Sequence, residues 1–263
     1  MTLSRAAGPK RSELGIRTAA GLAMIAVAVA AIVRGGGVFW ALVAAATLAM
    51  VGEWAGLVKA DRTGRLAALA AAAVVLLLAL PNLMMDGETV LAALAAGAVA
   101  AALAGRAAAL GAGLLYCLLP ALALLLLRDQ PAGVNLTIWT LAIVWATDIG
   151  AYFAGRSIGG RKLSPKISPN KTWAGLLGGM VSALVLGWLL VRALHLPPLL
   201  AALGGVLAFL AQMGDLFESW LKRRAGVKDS GRILPGHGGV LDRLDGVVPV
   251  ACVIGLLLLA GLL

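Results

Sequence analysis

Nine long apolar stretches, at about 15–33, 38–58, 66–85, 89–105, 107–127, 136–155, 173–191, 198–220 and 246–263, set the terms for this chain. A helix needs about 17–25 mainly apolar residues to cross the hydrocarbon core of a bilayer. Inside lipid every backbone N–H and C=O must be paired within the protein, which leaves helices as the natural fold for such stretches. The expectation is an all-α, polytopic integral membrane protein with about nine transmembrane helices. Composition agrees: hydrophobic residues make up 61% of the 263 positions and charged residues 13%, against about 25% charged in an ordinary soluble domain. The opening "MTLSRAAGPKRSELGIR" is basic and runs into the first apolar stretch. No small-residue cleavage site with a hydrophilic domain behind it follows, so it reads as a retained first helix. The boundary at Arg106 leaves almost no loop.

Charge placement gives the topology. If the N-terminus is cytoplasmic, 19 of the 22 Lys and Arg residues fall in cytoplasmic segments, and only Arg34, Arg128 and Arg192 lie opposite. That bias is the positive-inside pattern, with the C-terminus outside. It also accounts for the net charge of +10 without any nucleic-acid partner. Residues 1–135 form an Ala- and Leu-rich region of short loops, suited to lipid or oligomer contact. Residues 136–263 carry both long basic loops, 156–172 and 221–245, on the same expected side, so chemistry is expected in this C-terminal region. Cys117 and Cys252 sit inside apolar stretches and read as inert thiols, with no disulfide or thiolate metal site.

Polar groups inside the apolar stretches mark the candidate site. Asp148 and Asp215 each lie about two turns from the cytoplasmic end of a helix. An Asp at the bilayer centre costs on the order of 2.5–3.5 kcal/mol on insertion scales, so such residues usually face a polar cavity or a partner. An ion pair with a loop Lys or Arg is the plain alternative. Asp215, Ser219 and Lys222 fall at i, i+4 and i+7 on one helical face, and Asp148 shares a face with Tyr152. Asp242 and Asp245 open the last helix, where the helix dipole also favours carboxylates. Carboxylates are hard oxygen ligands suited to Mg²⁺, and Lys and Arg suit phosphate oxygens. The loop "PGHGG" (235–239) has the flexibility and backbone N–H groups to approach a phosphate. Together these parts describe phosphoryl or nucleotidyl transfer. A G-x-S-x-G nucleophile elbow is missing, which speaks against a Ser–His–Asp hydrolase. His195, before "LPP" on the far side, reads as a solvated residue. A cation or phosphate transporter built on Asp148 and Asp215 would need polar groups along a continuous path, and the opposite side is nearly bare.

The stretch 219–245, "SWLKRRAGVKDSGRILPGHGGVLDRLD", fits the pattern S-x-x-K-R-x4-K-D-x5-P-G-H-G-G-x-x-D-R-x-D at every fixed position. It resembles the signature of the phosphatidate cytidylyltransferases (CDP-diacylglycerol synthases). "DIGAYFAGRSIGGRKLSPKISPNKTWAG" (148–175), with S-P-x-K-T at Ser168–Thr172, resembles a second landmark of that family, and "GEWAGL" (52–57) echoes a weaker one. The likeness is specific over about 145–250. It implies an enzyme of the bacterial cytoplasmic membrane, its site facing the cytoplasm, that makes CDP-diacylglycerol and pyrophosphate from CTP and phosphatidate. It implies a cation pair, Mg²⁺ with a monovalent partner such as K⁺, at Asp215 and Asp242, with Asp148 and Asp245 as further ligands or outer support. Lys222, Arg223, Lys228, Asp229 and His237 join the catalytic set; His237 either touches phosphate or shapes its loop. Ser168, Lys171, Thr172, Ser219, Gly238, Gly239 and Arg243 are the implied substrate- and phosphate-binding residues. A homodimer is compatible with the chain. The competing enzyme reading is a CTP-dependent lipid kinase of the polyprenol or phytol type, which would transfer the γ-phosphate.

Overall fold

A computed structural model describes residues 11–81, 83, 85–234 and 238–263. Each apolar stretch contains a helix: α1 (Arg11–Arg34), α2 (Gly36–Leu57), α3 (Arg62–Leu78), α4 (Gly87–Ala104), α5 (Ala108–Arg128), α6 (Gly133–Ser157), α7 (Trp173–Leu194), α8 (Pro198–Ala225) and α10 (Val247–Leu259). The stretch expected over 66–85 leaves the helix at Leu78, shortly before Pro81. A single turn, α9 (Leu241–Leu244), precedes the last. Among the described residues six helices are long and apolar enough to cross a membrane: α2, α4, α5, α6, α7 and α8. The apolar part of α1 (Ala20–Arg34) and α10 are shorter. One element departs from the all-helical expectation. The loop 156–172 contains an antiparallel hairpin, β1 (Lys162–Ser164) and β2 (Ser168–Thr172), with Lys162 opposite Thr172 and Ser164 opposite Ser168.

Helix starts follow from side chains that satisfy otherwise orphaned amides. Asp61 accepts from the Gly64 N–H at α3, Asp86 from Thr89 at α4, and Thr172 from Gly175 at α7. Helix α8 begins at Pro198 and stops at Gly226, whose φ of +78° is a left-handed cap that glycine adopts readily. His195, expected to be a plain solvated residue, is exposed and closes α7 in the same left-handed region.

Two apolar cores result. The first gathers Val75, Leu76, Leu94, Leu114 and Leu118 from α3, α4 and α5. Leu221 of α8, Leu241 of α9 and Val248 of α10 also pack into it. The second joins Trp139, Ile143, Leu200, Leu207, Val250 and Ile254 from α6, α8 and α10. Small residues let α6 and α7 approach closely, as helix pairs in lipid do. A Cβ built on Gly178 would stand 2.2 Å from the Ala154 Cβ, and one on Gly150 2.2 Å from the Ser182 hydroxyl. Leu103, Val181 and Leu256 point outward, as a lipid-facing surface requires.

Candidate active site

The site lies where the end of α8 meets the hairpin and the 226–245 segment. Lys171, on β2 just before the α7 cap, reaches across to α8. Its ammonium sits 2.6 Å from an Asp215 carboxylate oxygen and donates to the Gln212 carbonyl at 3.5 Å. The Ser219 hydroxyl donates to the other Asp215 oxygen at 3.3 Å. Farther along the same helix Arg223 donates to the Ile167 carbonyl in the hairpin turn at 3.5 Å. Both basic loops therefore lie at one end of the bundle. Thr172 is buried and spends its hydroxyl on the α7 cap. Ser168 is partly buried in β2.

One helical turn and more beyond Asp215, Lys222 lies between two carboxylates, 2.8 Å from Glu218 and 2.5 Å from Asp242. Glu218 is 1% exposed, and its Oε1 has no protein partner among the described residues. The second Asp242 oxygen accepts from the Ser230 amide at 2.9 Å and the Gly239 amide at 2.8 Å, and the Ser230 hydroxyl oxygen lies 3.0 Å away. Burial alone would raise the Asp242 carboxyl. The Lys222 ammonium and the two amides outweigh it and hold the group below the usual carboxylate range. Gly238, at φ +86°, returns its carbonyl to the Leu234 amide at 3.0 Å and so closes the loop. His237, with Pro235 and Gly236, lies outside the described residues.

The remaining acidic residues surround this axis. Asp148 of α6 lies within electrostatic reach of Asp215, Lys171 and Arg243. Asp245 lies within reach of Asp215, Glu218 and Asp148, and accepts from the Gly246 amide at 2.7 Å. Gly214 allows this approach, because a Cβ there would meet the Asp245 carbonyl at 2.3 Å. Arg223, Lys228, Asp229 and Arg243 are exposed at the rim. Among the described residues no three His, Cys, Asp or Glu side chains converge on one metal position. The donors are nonetheless all hard carboxylate oxygens, and the unpartnered Glu218 Oε1 is the kind of acceptor a cation would satisfy.

Two side chains outside the expected set are central. Glu218 could have been found as an acidic residue four before Lys222 in an apolar helix. Glu53, in "GEWAGL" of α2, accepts from the Ser230 hydroxyl (2.9 Å) and the Val240 (2.9 Å) and Leu241 (2.8 Å) amides. The N-terminal region thus reaches the site that the sequence placed in the C-terminal region alone.

Residues 15–260 match the model of the cytidylyltransferase family. The chain belongs to that family. Over 242 residues it is 38% identical to the phosphatidate cytidylyltransferase of Pseudomonas aeruginosa, covering 86% of this chain and 89% of the relative. Over 149 residues it is 51% identical to the phosphatidate cytidylyltransferase of Brucella suis, with 54% of each chain covered. Over 116 residues it is 52% identical to that of Bacillus subtilis, with 43% of each covered. The aligned segment thus spans about half the length of the Brucella relative. For a cytidylyltransferase family member, carboxylates paired with lysines at one end of a helical bundle are a site suited to a polyphosphate.

Proposed function

We propose that this chain transfers CMP from CTP to phosphatidate, giving CDP-diacylglycerol and pyrophosphate. The observation that carries the reading is the pairing of Asp215 with Lys171 and Asp242 with Lys222 at one end of the bundle, in a chain whose relatives are named phosphatidate cytidylyltransferases. A phosphatidate oxygen, already ionised, attacks the α-phosphorus of CTP. A new P–O bond forms, the bond to the β-phosphate oxygen breaks, and pyrophosphate leaves with that electron pair. No general base is needed for attack. The barrier lies in bringing two polyanions together, which positioned cations lower.

Phosphate oxygens compete with the carboxylates for the ammonium groups of Lys171 and Lys222, while Arg223, Lys228 and Arg243 at the rim offer further donors. Ser168, Ser219, Gly238 and Gly239 line the same end. Asp215 and Asp242, supported by Asp148 and Asp245, would hold Mg²⁺, with a monovalent ion such as K⁺ as its partner. When bound, Mg²⁺ neutralises charge on the phosphate oxygens and orients them. The reading places nine spans in a bacterial inner membrane with the N-terminus and this site cytoplasmic; the positive-inside bias supports it. A homodimer completes the proposal. The test is purified protein with CTP, phosphatidate and Mg²⁺: pyrophosphate release that needs all three supports the reading, and none at all refutes it.

A further inference from the structure

Glu53 stands apart from every other acidic group near the site. It is 6% exposed, and its two oxygens meet three neutral donors, all from the 230–241 segment, 177 to 188 residues away in the chain. A buried carboxylate is costly unless hydrogen-bonded, and these three bonds satisfy it. The loop is shaped to admit it. A Cβ on Gly231 would stand 2.4 Å from Glu53 Oε1, and one on Gly239 2.5 Å from Oε2. The neighbouring Trp54 fixes the direction of Glu53. Its indole donates to the Ala109 carbonyl at 2.8 Å, stacks 6.4 Å from Phe217, and occupies space left by Gly113. On the far side of the same loop, the Ser230 and Gly239 amides donate to Asp242. The Ser230 hydroxyl lies within hydrogen-bond distance of both carboxylates, 2.9 Å from Glu53 and 3.0 Å from Asp242.

We propose that Glu53 is a positioning residue that clamps Ser230 and the Val240–Leu241 turn to α2 and thereby sets the Asp242 carboxylate. Glu53 reaches no reacting atom. It acts through Ser230 and the Val240–Leu241 amides, so that the N-terminal region governs the geometry of the site. The expected kinetic effect rests on the proposed cytidylyl transfer; the clamp itself does not.

The test uses full-length protein in detergent. Glu53→Gln keeps the side chain's size but offers one acceptor oxygen to three donors. Two readouts are taken. Without metal or substrate, tryptic cleavage after the exposed Arg232 should quicken several-fold, while cleavage in the hairpin after Lys166 stays at the wild-type rate. In turnover, kcat should fall about 10–100-fold, as loss of a ligand's supporting partner does, with a higher Mg²⁺ requirement and the KM for phosphatidate within about twofold. Gly231→Ala, which crowds the same carboxylate from the loop side, should reproduce both effects, and it decides the matter if Glu53→Gln does not fold. Wild-type cleavage at Arg232 overturns the clamp, and so does equally faster cleavage at both sites, which would make Glu53 a support of the whole fold. A wild-type protein that transfers no CMP refutes the proposed function and leaves the tryptic comparison to decide the clamp.

Discussion

At the residue scale the site consists of carboxylates held by lysines in a setting of low dielectric. Asp215 with Lys171, and Asp242 and Glu218 each with the Lys222 between them, form ion pairs in which the opposite charge lowers the cost of burial. Such pairs hold the site in shape and also present the two kinds of group a polyphosphate needs, anions for a metal and cations for its oxygens. Asp215 is the more open of the two aspartates, 32% exposed against 6% for Asp242. Its loss should therefore affect chemistry more than folding. Asp215→Asn is expected to bring pyrophosphate release down to background while the elution profile and yield of folded protein stay at wild type. An Asp215→Asn enzyme with ordinary turnover would remove this residue from the site. Of these residues the sequence revealed Asp215, Lys222 and Asp242, through the i, i+4, i+7 face and the 219–245 pattern, and Lys171 through the 148–175 stretch, but not Glu218. It did not reveal the pairing. Lys222 was expected to meet phosphate, and in the structure it lies between Glu218 and Asp242, a contact created only when α9 folds back on α8.

At the element scale, legibility tracked the strength of the physical constraint. A stretch of bilayer length has almost no choice but helix, and the nine apolar stretches match the long helices to within a few residues at most ends. The larger errors fall at the end of α3, which stops at Leu78 just before Pro81 while the apolar stretch runs on to 85, and at the polar last turn of α8, where Lys222, Arg223 and Arg224 extend the helix to Ala225. The hairpin was not legible, because "KLSPKISPNKT" has neither an alternating apolar pattern nor a run of β-branched residues, and its strands are held by the turn and by Lys171. Glu53 was missed for a different reason: its partners lie 177 to 188 residues away, and no local pattern reports such contacts. Close packing of α6 on α7 makes one element-level prediction. Gly178→Leu must push against Ala154, whose Cβ would already be 2.2 Å from a new Cβ. Overpacking of this kind costs typically about 1–3 kcal/mol or more. The variant should melt at lower temperature and lose activity in proportion to folded protein lost. Unchanged melting would mean that α6 and α7 are not in contact as described.

At the scale of the whole molecule, the two cores are bridged by α9 and α10, so the turn that carries Asp242 rests on both. Because the hairpin and the 221–245 segment touch through Lys171, Asp215, Arg223 and Ile167, they must share a side of the membrane. Single cysteines at Lys166 and Lys228, with Cys117 and Cys252 replaced by Ala, should both label only from the cytoplasmic face. Labelling from opposite faces would break the arrangement at its base. The central claim concerns which phosphate of CTP reaches the lipid. With CTP labelled at the α- or the γ-phosphate in separate reactions, the account predicts α-label in the chloroform-soluble product and γ-label in pyrophosphate. A lipid carrying γ-label, with CDP released instead, would contradict it.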